Sequence, residues 1–490
     1  MRAKNAQWRI PQKLELSQIA DIILKLYPIK NIAYSGLNAD PDYDVLCLYQ
    51  SSGEDEGIYS PNVKIIRNLI RQYCYTLTEK EIKDTVALLK DLAPRAARNL
   101  DRNLIAVNNG IFDFDTKTLM PFTPELIFVT KSHVDYNPAA SNPVIHNPSD
   151  NTDWDVESWM DDLFDDPEIT KLIWQIIGAI IRPNVPWNKS AWFYSNTGNN
   201  GKGTLCELMR RITGNGTCAS IPLSDFGKDF LLEPLLKASA IITDENDVGT
   251  FVDKAGNLKA IITNDVIQMN RKFKEPVSFQ FRGFMVQCLN EMPRIKDKSD
   301  SFYRRQLFVP FAKCFTGRTR EYIKSDYLHR KDVLEYVLKK VLHMDYYKLD
   351  EPEACKLVLD EYKEFNDPVR QFVEEILPEC KWDLLPYAFL YDLYKSWFRR
   401  TSPSGTLAGR NTFIADLNKA IFGSSEWYPT PNGNAVRPGN KMDAAEPLIF
   451  KYRIDDWANP VYRGTDIDKL CHPELKANYK GLLRYTDAVA

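Results

Sequence analysis

A glycine-rich segment near the middle of the chain carries the residues with the clearest chemical potential. Residues 195–205 read Ser-Asn-Thr-Gly-Asn-Asn-Gly-Lys-Gly-Thr-Leu, between an apolar run at 191–194 and a helical pattern that begins at Leu205. A strand, a glycine loop and a helix in this order point backbone N–H groups and the positive end of a helix dipole at a polyphosphate. Lys202 would bridge the terminal phosphates. The segment therefore predicts a nucleotide-binding loop.

The predicted nucleotide contacts of this loop come from one continuous stretch. They are Gly198, Asn199, Asn200, Gly201, Lys202, Gly203, Thr204 and Leu205. The stretch departs from the standard Gly-x-x-x-x-Gly-Lys-Ser/Thr order, because Asn196 stands at the first glycine and Gly203 at the hydroxyl residue that ligates magnesium. Gly198 and Thr204 are near substitutes, so Thr204 is the predicted magnesium ligand of the loop. A Gly-Asn surface turn is the alternative interpretation of this stretch by itself.

Two carboxylates end the next apolar strand pattern. Residues 240–243 are Ala-Ile-Ile-Thr and run directly into Asp244 and Glu245. ATP hydrolysis needs a carboxylate for magnesium and a base for the attacking water, so Asp244 is the second predicted metal ligand and Glu245 the predicted base. The alternative is a strand that runs into an acidic turn.

Two further candidates follow in the same region. The apolar run 284–289 ends at Asn290, whose amide we expect to contact the γ-phosphate and the attacking water. Arg304 and Arg305 precede the strand-like run 307–311, where an arginine finger would reach a neighbouring subunit's ATP. The pattern does not choose between the two arginines. A strand-capping Asn and a solvated basic turn are the alternatives.

A basic hairpin is predicted between these elements. The segment after Asp265 alternates apolar and polar residues, reverses near 274–276 and alternates again. Arg271, Lys272 and Lys274, with Phe273 among them, give the tip three positive charges. Such a projection can grip a nucleic-acid backbone without reading its sequence. A solvated surface hairpin is the alternative.

Length and composition set the wider frame. The chain has 490 residues, with 63 basic residues nearly balanced by 66 acidic ones, so nucleic-acid contact must come from a local patch. Its nine cysteines lack Cys-x-x-Cys spacing and indicate reduced thiols in the cytoplasm. The apolar stretch 172–181 is too short to span a bilayer, and the N-terminus does not resemble a signal peptide. We expect a soluble cytoplasmic protein without a membrane partner.

The elements that must position these residues follow a readable order. An Asn-Gly turn at 109–110 between β-rich runs predicts a hairpin, and 136–153 has the composition of a linker. Strands alternate with helices over 188–312, which is typical of a parallel sheet, and 447–452 has a β-like pattern. The predicted parts are an N-terminal α+β accessory domain at 1–140, a helical collar-like segment at 153–187, the α/β core at 188–318, a helical lid or linker at 319–365, and a winged-helix-like domain and tail at 366–490.

Phosphate loop, Asp-Glu strand, basic hairpin, Asn strand and Arg pair occur in one order within about 110 residues. That order resembles the superfamily 3 helicases, in particular the phage, plasmid and poxvirus primase-helicases, C-terminal type. The upstream runs 108–113 and 134–138, with Trp159 and the Asp-Asp-Pro at 165–167, resemble the accessory domain of phage members. The resemblance implies an AAA+ P-loop ATPase with a mostly parallel sheet that uses ATP and Mg²⁺.

The same resemblance implies how such an enzyme works. It implies a ring, usually a hexamer, with each ATP between subunits, and translocation 3′ to 5′ on single-stranded or forked DNA in the host bacterial cell, beside a primase or polymerase partner. It assigns nucleotide chemistry to Lys202, Asp244, Glu245, Asn290 and the Arg304/Arg305 pair. It assigns pore contacts to Lys272 and Lys274, and a place near the nucleotide to Lys259. The roughly one hundred residues before the hairpin at 104–114 leave little room for a primase domain.

Two rival interpretations remain at this point. Asp113 and Asp115 on one strand face could bind metal in a primase site, but they read equally as the start of a tight turn. Alternatively, the protein is an ATP-switched replication initiator or loader that binds origin DNA without processive unwinding. Residues 410–419 would then form its recognition helix, unless they simply pack a small domain.

Overall fold

The computed structural model describes residues 14–214, 216–228, 230–272, 274–317, 320–401 and 407–485. Contacts divide the chain into two compact units, Met1–Asp360 and Glu361–Ala490. Among the described residues, none of the helices combines the length and the apolar character that crossing a membrane requires.

The helices and strands that begin in the first unit are, in chain order, α1 (Leu16–Leu26), β1 (Ile29–Ala33), β2 (Val45–Tyr49), β3 (Tyr59–Ser60), α2 (Val63–Tyr73), α3 (Glu79–Leu92), β4 (Arg95–Ala97), β5 (Leu104–Val107), β6 (Gly110–Asp113), β7 (Thr118–Met120), β8 (Ile145–Asn147), β9 (Thr152–Trp154), α4 (Val156–Leu163), α5 (Pro167–Ile181), β10 (Ser190–Tyr194), α6 (Lys202–Thr213), β11 (Cys218–Ala219), β12 (Ala240–Thr243), β13 (Phe251–Val252), α7 (Gly256–Ile262), β14 (Val266–Arg271), β15 (Lys274–Gln280), β16 (Phe284–Leu289), β17 (Arg294–Ile295), α8 (Asp300–Tyr303), β18 (Gln306–Pro310), α9 (Glu321–Ser325), α10 (Lys331–Leu342) and α11 (Glu353–Asn366). The second unit continues with α12 (Pro368–Ile376), β19 (Leu384–Pro386), α13 (Tyr387–Thr401), α14 (Arg410–Ala420), β20 (Trp427–Pro429), α15 (Leu448–Lys451), α16 (Ile467–Leu470) and β21 (Gly481–Arg484).

The N-terminal part of the first unit is a small mixed sheet with helices. The sheet has the order β3-β2-β1-β4, in which β1 runs antiparallel to β2 and parallel to β4. Helix α3 begins with a capping box, since the Thr78 and Glu81 side chains bond each other's backbone N–H groups. Apolar residues of α1, α2 and α3 pack together, including Ile23, Ile66 and Ile82. Helices α2 and α3 are therefore amphipathic, with their apolar faces in this cluster.

The predicted Asn-Gly hairpin is also confirmed. Strand β5 pairs antiparallel with β6, from Leu104 opposite Asp113 to Val107 opposite Gly110, and β7 extends the sheet. The interpretation of 136–153 as a linker is wrong for its second half. There β8 and β9 form a hairpin, in which Ile145 pairs with Trp154, because both apolar side chains are buried on one face.

Helices α4 and α5 form the apolar spine of the first unit. Asp155 caps α4 and Asp166 caps α5, where Pro167 occupies the first turn without losing a hydrogen bond. Every residue of α5 from 172 to 181 is buried, as expected for a helix that is apolar on all sides. The helical segment predicted at 153–187 therefore contains two helices, one on either side of the Asp-Asp-Pro sequence.

The central sheet is five-stranded, in the order β11-β12-β16-β10-β18, and all its strands are parallel. The prediction of a parallel α/β sheet in this region is therefore confirmed. Parallel strands end at the same edge, so the residues after Tyr194, Thr243, Leu289 and Pro310 are brought together. Ligands of open α/β sheets bind outside this carboxyl edge.

The second unit packs α12, α13 and α14 with an antiparallel sheet of order β19-β21-β20. The β-like assignment of 447–452 is wrong, because these residues contain the helix α15. Leu448 and Tyr452 are both buried four residues apart, which is helical spacing. The buried Glu446 accepts the backbone N–H groups of Lys381, Trp382 and Leu448, so it fixes the start of this turn. The third strand comes instead from β21, in the predicted tail.

Candidate functional site

The segment after β10 is a tight loop that leads directly into α6. Asn199 (φ 54°) and Gly201 (φ 85°) both adopt left-handed backbone conformations, and α6 begins at Lys202. A Cβ at position 201 would lie 2.7 Å from Leu163 Cδ2, so the turn requires glycine there for both conformation and space. Gly201 offers no side-chain cap to α6. The first-turn N–H groups of a helix have no partner within the helix; here the Lys202 N–H donates to Asn200 Oδ1, and the N–H groups of Gly203 and Thr204 are the ones that an anion could use.

Hydrogen bonds within the loop and to its neighbours hold this shape. The Ser195 N–H donates to Leu289 O at 3.1 Å, which joins the start of the loop to the end of β16. The Asn200 side chain donates to Thr197 O and accepts from the Lys202 N–H. On the outer side, the Phe315 N–H donates to Asn199 O at 2.8 Å. The loop is therefore closed between the sheet edge and the segment that follows β18.

Lys202 is the most constrained ionisable group of the site. Its residue is only 6% exposed, and its Nζ has no hydrogen-bond partner among the described residues. Burial lowers the pKa of this ammonium, and the neighbouring Cys288 and Cys206 thiols act in the opposite direction. A buried cation without an acceptor costs free energy, which a phosphate would return as charge-assisted hydrogen bonds. This unpartnered donor fits the predicted role of Lys202.

The carboxyl end of β12 places Asp244 beside α6. Arg210 holds both carboxylate oxygens, with Nη1 to Oδ2 at 2.8 Å and Nη2 to Oδ1 at 2.7 Å. This hydrogen bond raises the pKa of Arg210. Sequence reasoning missed Arg210, although Lys202, Cys206 and Arg210 follow at helical spacing and share the face of α6 that looks at the sheet.

The same helix face brings together three groups of metal-ligating type. The ligand atoms of Cys206, Asp244 and Cys288 lie within 4.8 Å of one another, and the two sulfurs are 3.4 Å apart. Mg²⁺ prefers oxygen ligands, so Asp244 and not the thiols would serve it. Thr204 lies half-buried on the first turn of α6, where its hydroxyl is the remaining oxygen candidate.

Glu245 and Asn290 follow Asp244 and Leu289 at the carboxyl edge, as expected for residues at the ends of β12 and β16. Both are exposed, and neither has an ion pair or a hydrogen bond within the described part of the chain. Asn246, which the sequence analysis missed, ties this turn to the sheet. Its Nδ2 donates to Gln287 Oε1 at 3.0 Å and to Cys288 O at 3.1 Å.

A cavity of about 800 Å³ opens beside the loop. Its lining includes Asn199, Gly201 and Thr204 from the loop and helix, with Trp159, Lys313 and Phe315 from outside it. Ligand pockets have volumes of roughly 300–1,000 Å³ and combine apolar walls with a few polar groups. The last three residues were not predicted, because they follow no motif spacing and reach the loop only through the tertiary fold.

The arginine pair lies at the amino edge of the central sheet, where its parallel strands begin. Gln306, directly after the pair, is opposite Ser190 at the amino end of β10. Arg305 bends back to donate from Nη1 to Ser301 O, and its Nε is buried without a partner among the described residues. Arg304 is exposed. Because the pair and Lys202 lie at opposite edges, the structure does not bring these predicted residues together within one chain.

The predicted hairpin is confirmed in β14 and β15, with its turn slightly earlier than expected. Arg271 pairs with Lys274 across the strands, Lys272 is exposed at the turn, and Phe273 lies outside the described residues. Ile267, Met269, Val277 and Phe279 are buried on one face of the hairpin. This explains the alternation in the sequence and leaves the tip projecting from a packed base.

Two lesser candidates have other contacts. Lys259 on α7 forms an ion pair with Asp297 at 2.5 Å, a partner that the sequence did not predict. Asp113 accepts the N–H groups of Asp115 and Thr116 through Oδ1 at 2.9 and 3.2 Å. This is the tight-turn arrangement that the sequence analysis set against a primase metal site.

Family models match three successive parts of the chain. "D5 N terminal like" matches residues 2–165, "Family of unknown function (DUF5906)" matches 193–305, and "Poxvirus D5 protein-like" matches 364–456. A protein of Acanthamoeba polyphaga mimivirus named "Putative helicase L207/L206" is 25% identical over 274 residues. That match spans 51% of this chain and only 26% of the mimivirus protein.

Two solved structures of the NrS-1 C terminal region are similar over most of the chain. One, an A form apo structure of residues 305–718, has 11% identity and a TM-score of 0.46, covering 96% of this chain and 100% of that chain. The other apo structure has a TM-score of 0.41 at 11% identity, with coverages of 84% and 89%. Similarities of this size settle neither fold nor function, so the assignment depends on the family models.

The fold and the site define an α/β protein with a glycine-rich loop and a buried lysine at the carboxyl edge of a parallel sheet. The matching models at both ends of the chain are more specific. Together with the helicase-named mimivirus relative, they support the resemblance of the chain to the superfamily 3 primase-helicases of the phage and poxvirus type.

Removing the buried ammonium should stabilise the protein without nucleotide. Because the folded pKa of Lys202 lies below its unfolded value, the folded state carries the full penalty below that folded pKa and loses it as pH rises towards the unfolded pKa. We expect Lys202→Met to raise the melting temperature near neutral pH by a few degrees, on the order of 1 kcal/mol, with the difference from wild type shrinking towards pH 10.

Differential scanning calorimetry from pH 6 to 10 measures this difference. Lys25→Met is the matched control, because Lys25 is exposed on α1 and should show no pH-dependent gain. A Lys202→Met protein that melts below wild type throughout would show that the ammonium has a stabilising partner.

Proposed function

We propose that the protein is an ATP-dependent, ring-forming DNA helicase that hydrolyses ATP between subunits and translocates on single-stranded DNA. The observation that carries the proposal is the buried, unpartnered Lys202 ammonium at the start of α6, beneath open helix N–H groups. The matches to primase-helicase family models at both ends of the chain support action on DNA in replication, and the mimivirus relative carries "helicase" in its name.

In this proposal the phosphates of ATP lie on the loop and the rest of the nucleotide in the adjoining cavity of about 800 Å³. Lys202 would bind the terminal phosphates, while Trp159 and Phe315 offer apolar walls for the base. Thr204 and Asp244 are the oxygen donors for Mg²⁺. When bound, this ion would neutralise charge on the phosphates. Arg210 would hold the Asp244 carboxylate in place while Asp244 serves the magnesium ion, since carboxylates at metal sites are commonly oriented by such a partner.

Glu245 and Asn290 fit the chemical step because both are exposed at the sheet edge that carries the loop. Glu245 has an uncommitted carboxylate that can accept a proton from water. Asn290 can hold the same water or the γ-phosphate through its amide. The Ser195-to-Leu289 hydrogen bond supports this arrangement, since it connects the loop to the strand that ends at Asn290.

Assembly as a ring, as a hexamer in this family type, would supply what one chain lacks. Arg304 lies at the amino edge of the sheet and cannot serve the loop at the carboxyl edge of its own chain. We therefore assign the finger to Arg304, acting on a neighbour's ATP, and a structural role to the half-buried Arg305.

The remaining parts are proposed from their topology. We assign the five-stranded parallel sheet with its loop to an AAA+ core, and the helices and antiparallel sheet of the second unit to a winged-helix domain. The β14–β15 tip would face single-stranded or forked DNA, with a primase or polymerase as the replication partner. An ATP-switched initiator or loader is the alternative function, with α14 as its DNA-binding helix.

Substitution of the proposed base should stop hydrolysis and spare binding. We expect Glu245→Gln to lower ATP turnover by about 10²–10⁴-fold while it still binds a fluorescent ATP analogue, whereas Lys202→Ala should lose binding as well. DNA-stimulated phosphate release and unwinding of a fork are the measurements. Asp247→Asn, an exposed neighbour, should behave as wild type.

These measurements also separate the two functions. Wild-type levels of turnover in Lys202→Ala or Glu245→Gln would contradict the assigned site. ATP hydrolysis by the wild-type protein without strand separation on any fork would favour the switch function.

Mixing defective chains should restore activity if the site is shared. Arg304→Ala chains keep Lys202, and Lys202→Ala chains keep Arg304, so a mixed ring forms some intact interfaces. We expect each variant to be inactive by itself and an equimolar mixture to regain part of the ATPase rate. Arg305→Ala serves as the comparison and should retain turnover by itself. An Arg304→Ala protein with full activity, or no recovery in any mixture, would contradict the finger in trans.

Removing the positive charges of the hairpin tip should uncouple DNA unwinding from ATP hydrolysis. We expect Lys272→Ala/Lys274→Ala to lose unwinding and DNA stimulation, to keep basal ATP turnover, and to show a shallower salt dependence of DNA binding. Fluorescence anisotropy over a salt series measures the last effect. Lys80→Ala/Lys83→Ala removes the same charge from exposed positions on α3. This control should change neither DNA unwinding nor the salt dependence of DNA binding. Equal loss of basal turnover and unwinding would assign the tip a structural role.

A further inference from the structure

A second polar cavity lies away from the loop, inside the first unit. It has a volume of about 50 Å³, is partly open, and is lined by the segment after β4, the end of α6 and the base of the β14–β15 hairpin. The polar residues of its lining that bear on its chemistry are Arg98, Asn99, Lys131 and Arg282. None of the predicted functional residues reaches it.

Arg98 enters this cavity from the N-terminal side and holds the hairpin base. Its Nη2 donates to Tyr34 O and to Gln280 O, both at 2.8 Å, and its guanidinium stacks 4.8 Å from the Tyr34 ring centre. Burial lowers the pKa of Arg98 to about 10, and the nearby Arg282 adds to this effect. No carboxylate of the described residues lies within ion-pair distance of Arg98.

Arg282 approaches from the hairpin side, two residues after β15. Its Nε is buried without a hydrogen-bond partner, and among the described residues it forms no ion pair. Asn99 adds a third open donor. Its Oδ1 accepts the Asp101 N–H at 3.3 Å, so its Nδ2 is the side that is buried without an acceptor.

The charge balance of the lining is one-sided. Cations withdrawn from water are normally paired, yet two half-buried guanidinium groups here share a cavity whose lining holds no acid. Lys131 adds charge, since its residue is 3% exposed and its Nζ donates to Glu56 O, with no ion pair to a described carboxylate. Asp55 and Glu56 nearby offset Lys131 in part, so the two arginines carry the argument.

The size and the donors indicate the missing partner. One water needs roughly 10–15 Å³ of such volume, so a cavity of about 50 Å³ admits a tetrahedral oxyanion. Guanidinium forks match oxyanions with paired hydrogen bonds. We propose that Arg98, Arg282 and Asn99 form a second phosphate-binding site, which takes either inorganic phosphate or a phosphate of a nucleic-acid backbone.

Occupation of this site would stiffen the base of the β14–β15 hairpin. Arg98 belongs to the N-terminal side and Arg282 to the hairpin side, and they repel each other when nothing lies between them. An anion turns this repulsion into a bridge and reinforces the bond from Arg98 to Gln280 O. The inference does not depend on the proposed ATPase function, because no residue of the loop takes part.

The test uses full-length Lys202→Ala protein, so that phosphate bound at the loop cannot contribute. Thermal unfolding is followed in inorganic phosphate and in chloride at equal ionic strength. We expect phosphate to raise the melting temperature by several degrees as the ligand concentration exceeds the dissociation constant. Adding Arg282→Gln should abolish the rise, and adding Arg102→Gln, an exposed arginine nearby, should leave it unchanged.

Asn99→Asp provides a gain-of-function arm. A carboxylate at this position would replace the anion, so the Lys202→Ala/Asn99→Asp protein should melt at higher temperature in chloride and should no longer respond to phosphate. This outcome does not depend on loss of folding.

A short single-stranded oligonucleotide in place of phosphate identifies the source. If the backbone supplies the phosphate, the oligonucleotide gives a shift that requires Arg282 and that inorganic phosphate competes away. If only inorganic phosphate gives the Arg282-dependent shift, the site takes the free ion. An equal phosphate response in the Arg282→Gln protein, or no response to either ligand, would overturn the proposal.

Discussion

A desolvated ammonium at the junction of β10 and α6 is the constraint on which the site depends. Lys202 is held under the loop because Gly201 turns left-handed against Leu163, which forces the helix to begin at the lysine. The fold thereby keeps a positive charge away from water with no protein acceptor. Such a charge lowers stability, and a bound oxyanion is the group that offsets this cost. The proposed preference of the loop for anions therefore rests on the absence of an acceptor for Lys202 among the described residues.

The parallel sheet converts this local feature into an arrangement of groups. Asp244 and Asn290 come from distant parts of the sequence, yet both follow strands that end at the edge where the loop begins. Side chains outside the motifs then set the detail: Arg210 orients Asp244, and Asn246 ties the acidic turn to β16. The same sheet places Arg304 at the opposite edge, which is why the proposed finger is assigned to a neighbouring chain.

Much of the local structure could be predicted, for identifiable reasons. The Asn-Gly turn at 109–110, the capped helix α5 and the alternating strands of the hairpin each have a short-range cause in backbone or side-chain chemistry. The errors have a common cause. Residues 447–452 form a mostly apolar run that suggests a strand. Burial of Leu448 with Tyr452 and the bonds to Glu446 favour a helical turn instead. Ile145 and Trp154 likewise pair only because a common core covers both.

The sequence by itself determined the chemical types and their order: a glycine loop ending in Lys202, carboxylates after an apolar strand, an amide after the next, and a basic hairpin. These depend on local spacing, which the chain carries in every conformation. The tertiary structure decided which groups meet. It buried Lys202, paired Asp244 with Arg210, separated Arg304 from the loop, and enclosed Arg98 with Arg282 around a cavity without a carboxylate. Desolvation and pairing across elements distant in sequence arise only on packing, so no local pattern records them.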